Sequence, residues 1–261
     1  MQKRHSDRKL YFEEQVCTTE KYVIPFIEQI KEVKEGMSVL EIGCGEAGNL
    51  KPFLDRRCKC LGIDLNTSKI EMAKEFYADH AYKDNLSLIS EDIYKYKHNE
   101  GTFDIIVMRD FIEHIPNQER FINQLGAYAN ENTVVFFAFP PWQNPFGGHQ
   151  QVCQSRLLSR LPYFHLLPKK LYRGTLNVFK ERQSLVDELL EIKETGLSIE
   201  RFEKIMDNSP FKIEYKVSYF INPNYEIKFG LKPRVVYKVV DSMKYLRNFT
   251  ITCLYCVATL K

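Results

Sequence analysis

Three glycines, Gly43-x-Gly45-x-x-Gly48, separate an apolar run from a helix-forming one, and a carboxylate, Asp64, follows about 20 residues later. Glycine at such positions lets the backbone turn tightly and pass close beneath a nucleoside-like molecule. Asp64 closes the next apolar run, Cys60-Leu61-Gly62-Ile63, where it is placed to accept hydrogen bonds from both hydroxyls of a ribose. Polar groups recur after later apolar runs. Glu91-Asp92-Ile93 is one set, and Arg109-Asp110 with His114 about one turn on is another. His149 follows two glycines in Pro141-Trp142-Gln143-Asn144-Pro145-Phe146-Gly147-Gly148.

Glu41 discriminates between ligands. It stands two residues before Gly43, where its negative charge would oppose a pyrophosphate. S-adenosylmethionine has no phosphate and carries a sulfonium and an ammonium, so an acid beside the loop suits it better than a nicotinamide dinucleotide. Glu41 need not touch the ligand, since a carboxylate can also hold loop N–H groups. Asp92 can receive the exocyclic amino group of adenine, with the Ile93 N–H available to a ring nitrogen and Leu65 and Ile93 on the two faces. The expected cofactor contacts are therefore Glu41, Gly43, Cys44, Gly45, Asp64, Leu65, Asp92 and Ile93, with Arg109 on the border between cofactor and acceptor. An NAD-dependent oxidoreductase and a non-catalytic S-adenosylmethionine-binding protein are the alternatives.

Methyl transfer from a sulfonium is an in-line displacement, so alignment and exclusion of water matter most. A general base is needed only for an acceptor that stays protonated, such as a phenol or alcohol. His149 is the preferred base, His114 the second, and Arg109 the third candidate for a catalytic role. His165, in Leu161-Pro162-Tyr163-Phe164-His165-Leu166, reads as a packed lid residue. Trp142, Phe146, Tyr163 and Phe164 suggest a small acceptor that is aromatic or partly apolar. His149 with Glu113, Asp92 or Asp110 makes a cluster without recognised metal-ligand spacing, and no metal is assigned.

These groups need a frame. Tyr22, Phe26, Ile30 and Val33 recur at spacings of four and three, predicting a helical segment over 10–35. Short apolar strands are expected at 38–42, 60–64, 86–90, 103–108 and 133–139, with helices between them. Ser68-x-x-Glu71 reads as a capping box. Such alternation means parallel βαβ units with helices on both faces of the sheet. The rhythm breaks after Trp142, where residues 142–180 mix Pro, Gly, His and aromatics, and helical character returns over 181–206. Strands at 213–221 and 249–260 would form an antiparallel end. The expected division is 1–35 as helical cofactor cover, 36–141 as core, 142–206 as acceptor-side cap, and 207–261 as completing strands.

Val39-Leu40-Glu41-Ile42-Gly43-Cys44-Gly45-Glu46-Ala47-Gly48 resembles the first motif of class I S-adenosylmethionine-dependent methyltransferases. Gly62-Ile63-Asp64-Leu65, Glu91-Asp92-Ile93 and Phe103-Asp104-Ile105-Ile106-Val107 are similar to the second, third and fourth motifs, in order. Arg109-Asp110-Phe111-Ile112-Glu113-His114-Ile115 resembles the small-molecule branch that includes ubiquinone-biosynthesis O-methyltransferases. The resemblance implies a Rossmann-like α/β fold with a mostly parallel seven-stranded sheet whose last strand is antiparallel, plus a cap inserted after strand five. It also implies Gly43 and Gly45 on the methionine part, Asp64 on the ribose, Asp92 and Ile93 on the adenine. By position and by this likeness, Tyr11, Gln15 and Tyr22 are expected to fold over the cofactor. The likeness is good over about 15–140 and loose over the last 50 residues.

Bulk properties set outer bounds. The 261 residues carry 37 basic and 34 acidic side chains, a net charge of +3, with no concentrated basic stripe; Lys3-Arg4 and Lys169-Lys170 are short and far apart. A nucleic-acid partner is therefore not expected. There is no apolar run of membrane-spanning length, and no signal-peptide core follows Met1–Lys9. Seven cysteines, with Cys253-x-x-Cys256 read as structural, fit a reducing cytoplasm. Oligomeric state is not legible from these features.

Overall fold

The computed structural model describes residues 7–97 and 101–261, so the Lys3-Arg4 pair lies outside the described residues. Strands β1 (Ser38–Ile42), β2 (Lys59–Asp64), β3 (Leu86–Ser90), β4 (Ile105–Arg109) and β5 (Val134–Phe139) are mutually parallel. β6 (Phe211–Ile221), β7 (Arg234–Val235) and β8 (Cys253–Leu260) complete one sheet in the order β3-β2-β1-β4-β5-β8-β6-β7. β8 runs antiparallel between β5 and β6. The expected antiparallel end is thus present, and the eighth strand is the two-residue edge pair β7, too short to leave an alternating pattern in sequence.

Both faces are buried at the centre of the sheet, in β1, β4, β5 and β8, which is why these strands read as near-continuous apolar runs, whereas β3 and β6 nearer the edges are only partly buried. Val39, Cys60, Ile105, Val107, Phe136 and Tyr255 point to one side, where Phe12, Ile24, Phe26 and Ile27 of the N-terminal helices cover them with Phe53 and Leu54. Leu40, Ile63, Ile106, Met108, Phe137 and Cys256 point to the other, under Phe121, Leu125, Phe202 and Met206. Cys253 and Cys256, three residues apart on β8, therefore lie on opposite faces and cannot share a ligand. Both are buried free thiols.

Local differences have local causes. The N-terminal helix runs from Arg8 to Ile27 through a π-helical stretch at Thr19–Val23, and ends before Gly36; Ile30, expected on its inner face, is 42% exposed. The helix Thr67–Phe76 is capped by Asn66, whose Oδ1 accepts from the Lys69 N–H, rather than by a Ser68–Glu71 box. Asn66 competes better because Asp64 Oδ1 already accepts its N–H and fixes the turn.

Residues 142–190 build a third apolar cluster from Cys153, Leu158, Phe164, Tyr172, Leu176, Val186 and Leu189. Its helices are Lys169–Val178 and Gln183–Thr195. The next helix, Ile199–Asp207, packs on the sheet instead, with Phe202 against Phe137 and Phe139. Glu181 ties the cap together by accepting the Gln154 and Ser155 N–H groups at 2.9 and 2.8 Å.

Candidate active site

β1, β4 and β5 end on the same side of the sheet, and the chain leaves each in a constrained turn. After β1, Gly43 and Gly45 have φ of +74° and +56°. After β4, Asp110 takes φ of +51°, costly for a residue with a side chain. In the loop after β5, His149 has φ of +56°. An open cleft of about 700 Å³ lies among these turns. Gly43, Cys44, Gly45, Arg109 and Asp110 form its floor, Asn144, Phe146 and His149 come from the cap, and Tyr11 and Gln15 from the N-terminal helix.

The glycines act in different ways. A Cβ on Gly43 would fall 2.1 Å from the Phe111 ring, so its bareness admits Phe111 rather than leaving the turn uncovered. Gly48 brings the N-terminal helix down: a Cβ there would meet Phe12 O at 2.6 Å and Gln15 at 2.8 Å. Gly147 and Gly148 are close-packed, against the carbonyls of Pro141 and Trp142 and against the His165 ring. His165 is fully buried with Nε2 2.8 Å from Trp142 O, a structural histidine as expected.

Glu41 is buried and does not line the cleft. Its Oε1 accepts from Asn49 Nδ2 at 2.6 Å, and Asn49 Oδ1 accepts from Thr19 Oγ1 at 2.8 Å and Arg109 Nη1 at 2.9 Å. Burial pushes the Glu41 carboxyl up to about 8, against the hydrogen bond from Asn49 and the charge of Arg109. Glu41 is thus a keystone beneath the glycine turn, acting through Asn49. Glu46, also buried, pairs with Arg8 at the cleft edge.

Asp64 sits at the tip of β2 with both oxygens engaged: Oδ2 accepts the Gly45 N–H at 2.9 Å and Oδ1 the Asn66 N–H at 2.8 Å. A carboxylate has about four acceptor sites, so two remain for hydroxyls. Beside it Leu65 is 72% exposed. Asp92 Oδ1 accepts from the Tyr94 N–H at 3.0 Å, and Ile93 is buried in the core. Asp64, Leu65, Asp92 and Ile93 continue past the floor of the cleft along the ends of β2 and β3. Tyr22 packs with the apolar cluster on the sheet face and does not reach the cleft.

The acceptor side differs from expectation in its aromatics. Phe146 lines the cleft, whereas Trp142 stacks edge-on against His165, Phe164 packs on Tyr172 within the cap, and Tyr163 leans on Phe249. Tyr225 and Phe229, from the helix Asn224–Phe229 after β6, take their place, with Lys228, Arg160 and Lys69 adding positive charge. Tyr225, Lys228 and Phe229 carried no motif, and only the return of the chain after β6 brings them here. His114 and His149 meet edge-on with ring centres 4.7 Å apart. Desolvation lowers the pKa of both imidazoles, His114 also feeling His149 and Lys69. The ligand atoms of Glu113, His114 and His149 lie within 4.8 Å of one another, a grouping the spacing did not reveal.

The frame, the glycine turn at the end of its first strand and the acid at the tip of its second define a class I S-adenosylmethionine-dependent methyltransferase. A family profile described as "Methyltransferase domain" matches residues 18–183, and the chain belongs to that family. S-adenosylmethionine follows as cofactor, and the nicotinamide alternative is set aside. Pavine N-methyltransferase of Thalictrum flavum subsp. glaucum is 30% identical over 135 residues, 48% of this chain and 36% of that protein. Ubiquinone biosynthesis O-methyltransferase of Coxiella burnetii is 30% identical over 118 residues, 44% of this chain and 48% of that one. The chain thus spans between a third and a half of these two relatives. Among solved structures, the plantazolicin methyltransferase BpumL in complex with SAH aligns over 99% of this chain and 88% of its own, with TM-score 0.57 and 14% identity. A putative sarcosine dimethylglycine methyltransferase from Galdieria sulphuraria aligns over 92% and 84%, with TM-score 0.61 and 10% identity. These two likenesses concern the fold.

Proposed function

We propose that the chain transfers the methyl group of S-adenosylmethionine to an oxygen or nitrogen of a small, partly apolar acceptor held in the cleft under the cap. The observation that carries this reading is the single cleft joining the Gly43–Gly45 turn to Phe146 and His149. The residues present fit the cofactor. Asp64 retains acceptor capacity for a ribose, Leu65 offers an apolar face beside it, and Asp92 with the Ile93 N–H provides an edge for adenine. Cys44, Gly45 and Arg109 would meet the methionine part, and Tyr11 and Gln15 would cover it. When bound, the sulfonium supplies an activated methyl group and its own leaving group.

The protein's share is alignment, exclusion of water and removal of a proton. Tyr11, Phe146, Tyr225 and Phe229 give the acceptor an aromatic surround. His149, kept neutral by its desolvated position, is available to take a proton from a hydroxyl acceptor, with His114 behind it. Relatives methylating nitrogen and oxygen both occur, so the acceptor atom is left as either. Free cysteines favour a reducing compartment such as the cytoplasm, and no described helix is long and apolar enough to cross a membrane. The test is calorimetric titration with S-adenosylmethionine, followed by transfer of labelled methyl to the small-molecule fraction of a cell extract. Label in protein or nucleic acid alone would overturn the acceptor class. Cofactor binding without transfer to any acceptor would favour a non-catalytic role.

A further inference from the structure

We propose that the acceptor is a net anion, with a carboxylate or phosphate apart from the atom that is methylated, and that Arg160 and Lys228 hold that group on the acceptor side of the cleft. The inference rests on the proposed function and names the substrate class of the same site. The chain as a whole is nearly balanced, with 37 basic and 34 acidic side chains. The cleft is not. Arg8, Lys69, Arg109, Arg160 and Lys228 line it against two acids among the described residues, Glu46 and Asp110. Both acids are already engaged: Glu46 pairs with Arg8, and Asp110 Oδ2 lies 3.8 Å from Arg109 Nε. Arg109 also donates to Asn49, which fixes it to the floor. Lys69 stands over the glycine turn, with its Cδ 3.8 Å from where a Cβ on Gly45 would lie, and so belongs to the cofactor's side. S-adenosylmethionine, with a sulfonium, an ammonium and a single carboxylate, adds net positive charge of its own. In a cleft partly shielded from water such an excess repels a cationic acceptor and draws an anionic one.

Arg160 and Lys228 remain to face the acceptor, and each is presented by a separate element. Arg160 ends the turn Leu158–Arg160, which Leu158 anchors in the cap's apolar cluster. Its guanidinium offers the planar fork that matches a carboxylate or phosphate. Lys228 is carried by the helix Asn224–Phe229, its Nζ 5.7 Å from the centre of the Tyr11 ring. On the same helix Tyr225 and Phe229 pair edge-on with ring centres 5.5 Å apart. These rings and Phe146 give the body of the acceptor an apolar surface, and the two cations give its charged group a partner. The basic pair visible in the sequence, Lys169-Lys170, does not line the cleft. The charge that matters is assembled from residues 68 positions apart, as the numbers of Arg160 and Lys228 show (228 − 160 = 68).

The test incubates full-length protein and methyl-labelled S-adenosylmethionine with the small-molecule fraction of a cell extract, then passes the products over an anion exchanger at pH 8, beside a control without enzyme. The expected result is enzyme-dependent label that the exchanger retains. Loss of retention after phosphatase treatment identifies the anion as phosphate, and persistence identifies it as carboxylate. Label in the flow-through, or in a base-labile methyl ester of the carboxylate itself, would overturn the proposal. Rates are then measured over a dilution series of the extract's exchanger-bound fraction. Arg160→Gln and Lys228→Gln should each raise the half-saturating amount by at least about tenfold while leaving the maximal rate within about twofold. Arg160→Lys should recover most of the loss, and Arg156→Gln, at an exposed cap position outside the cleft lining, should match wild type. Unchanged half-saturation in both glutamine variants would remove the two cations from the acceptor site. Calorimetry with S-adenosylmethionine should give wild-type affinity throughout, and a fall in the glutamine variants would assign the cations to the cofactor instead. No labelled small molecule at all would sink the proposed function and this inference with it, a result distinct from label that flows through.

Discussion

At the scale of single residues, the site is built from groups that hold others in place. Asp64 supports the glycine turn through Gly45 and the next helix through Asn66 while keeping acceptor sites for a ligand. Asp64→Ala should raise the cofactor dissociation constant by about tenfold or more, since hydrogen bonds to a charged group are worth about 1.5–3 kcal/mol; calorimetry measures it, and Asp64→Asn should fall between. Glu41 makes a stability prediction. Its ordinary pKa of 4.5 is raised to about 8 by burial, so the folded state binds more protons and stability falls as pH rises between those values. Glu41→Gln should remove that slope, and its melting temperature should gain on wild type from pH 5 toward pH 8. An unchanged gap would mean that Glu41 is ionised throughout. His149 carries the opposite sign for a base: its pKa lies below the ordinary 6.5, so turnover should stay level to about that pH and fall only on the acid side. His149→Ala should lower turnover while sparing cofactor affinity.

At the scale of elements, the N-terminal helix is part of the core and lines the cleft with Tyr11 and Gln15, where the proposed function makes it the cofactor's cover. Removing residues 1–25 would test the cover, but Phe12, Val23 and Ile24 are buried against the sheet, so that truncation opens the apolar cluster itself. Gly48→Ala is the sharper probe. Its Cβ would strike Phe12 O and Gln15, lifting the helix from the glycine turn. The expected outcome is faster hydrogen exchange over residues 8–18 and weaker cofactor binding, with exchange in β4 and β5 unchanged. The helix was legible from its apolar spacing, but its end was not. The π-helical stretch advances the register by one residue, so the spacing that includes Ile30 does not describe one straight face.

At the scale of the whole molecule, a twice-covered sheet, with the cap's own core for Cys153, accounts for the buried cysteines. Six of the seven are buried and only Cys17 is exposed. Burial raises the Cys44, Cys60, Cys253 and Cys256 thiols above their ordinary range, which suppresses the reactive thiolate. Brief alkylation of native protein should label one site, identified as Cys17 by mass spectrometry, and denatured protein all seven. Rapid native labelling at Cys253 or Cys256 would contradict the packing of β8. The same sheet resists core truncation: Phe136→Ala, fully buried between Phe26 and Tyr255, should cost about 3–5 kcal/mol in denaturant unfolding.

Strand positions, the glycine turn and the acid after β2 could be read directly because they are local: each rests on periodicity or on a backbone requirement within a few residues. The acceptor side could not. Tyr225, Phe229 and Lys228 reach the cleft only because β8 inserts between β5 and β6 and leaves the connection after β6 beside the floor. Glu113 and His114 meet His149 across two loops that follow different strands. Sequence alone determined the glycine turn and the acid on the strand beside it, the cradle in which the proposed function lays a nucleoside. Only tertiary folding decided what faces it, because those contacts join segments whose separation along the chain leaves no repeating pattern.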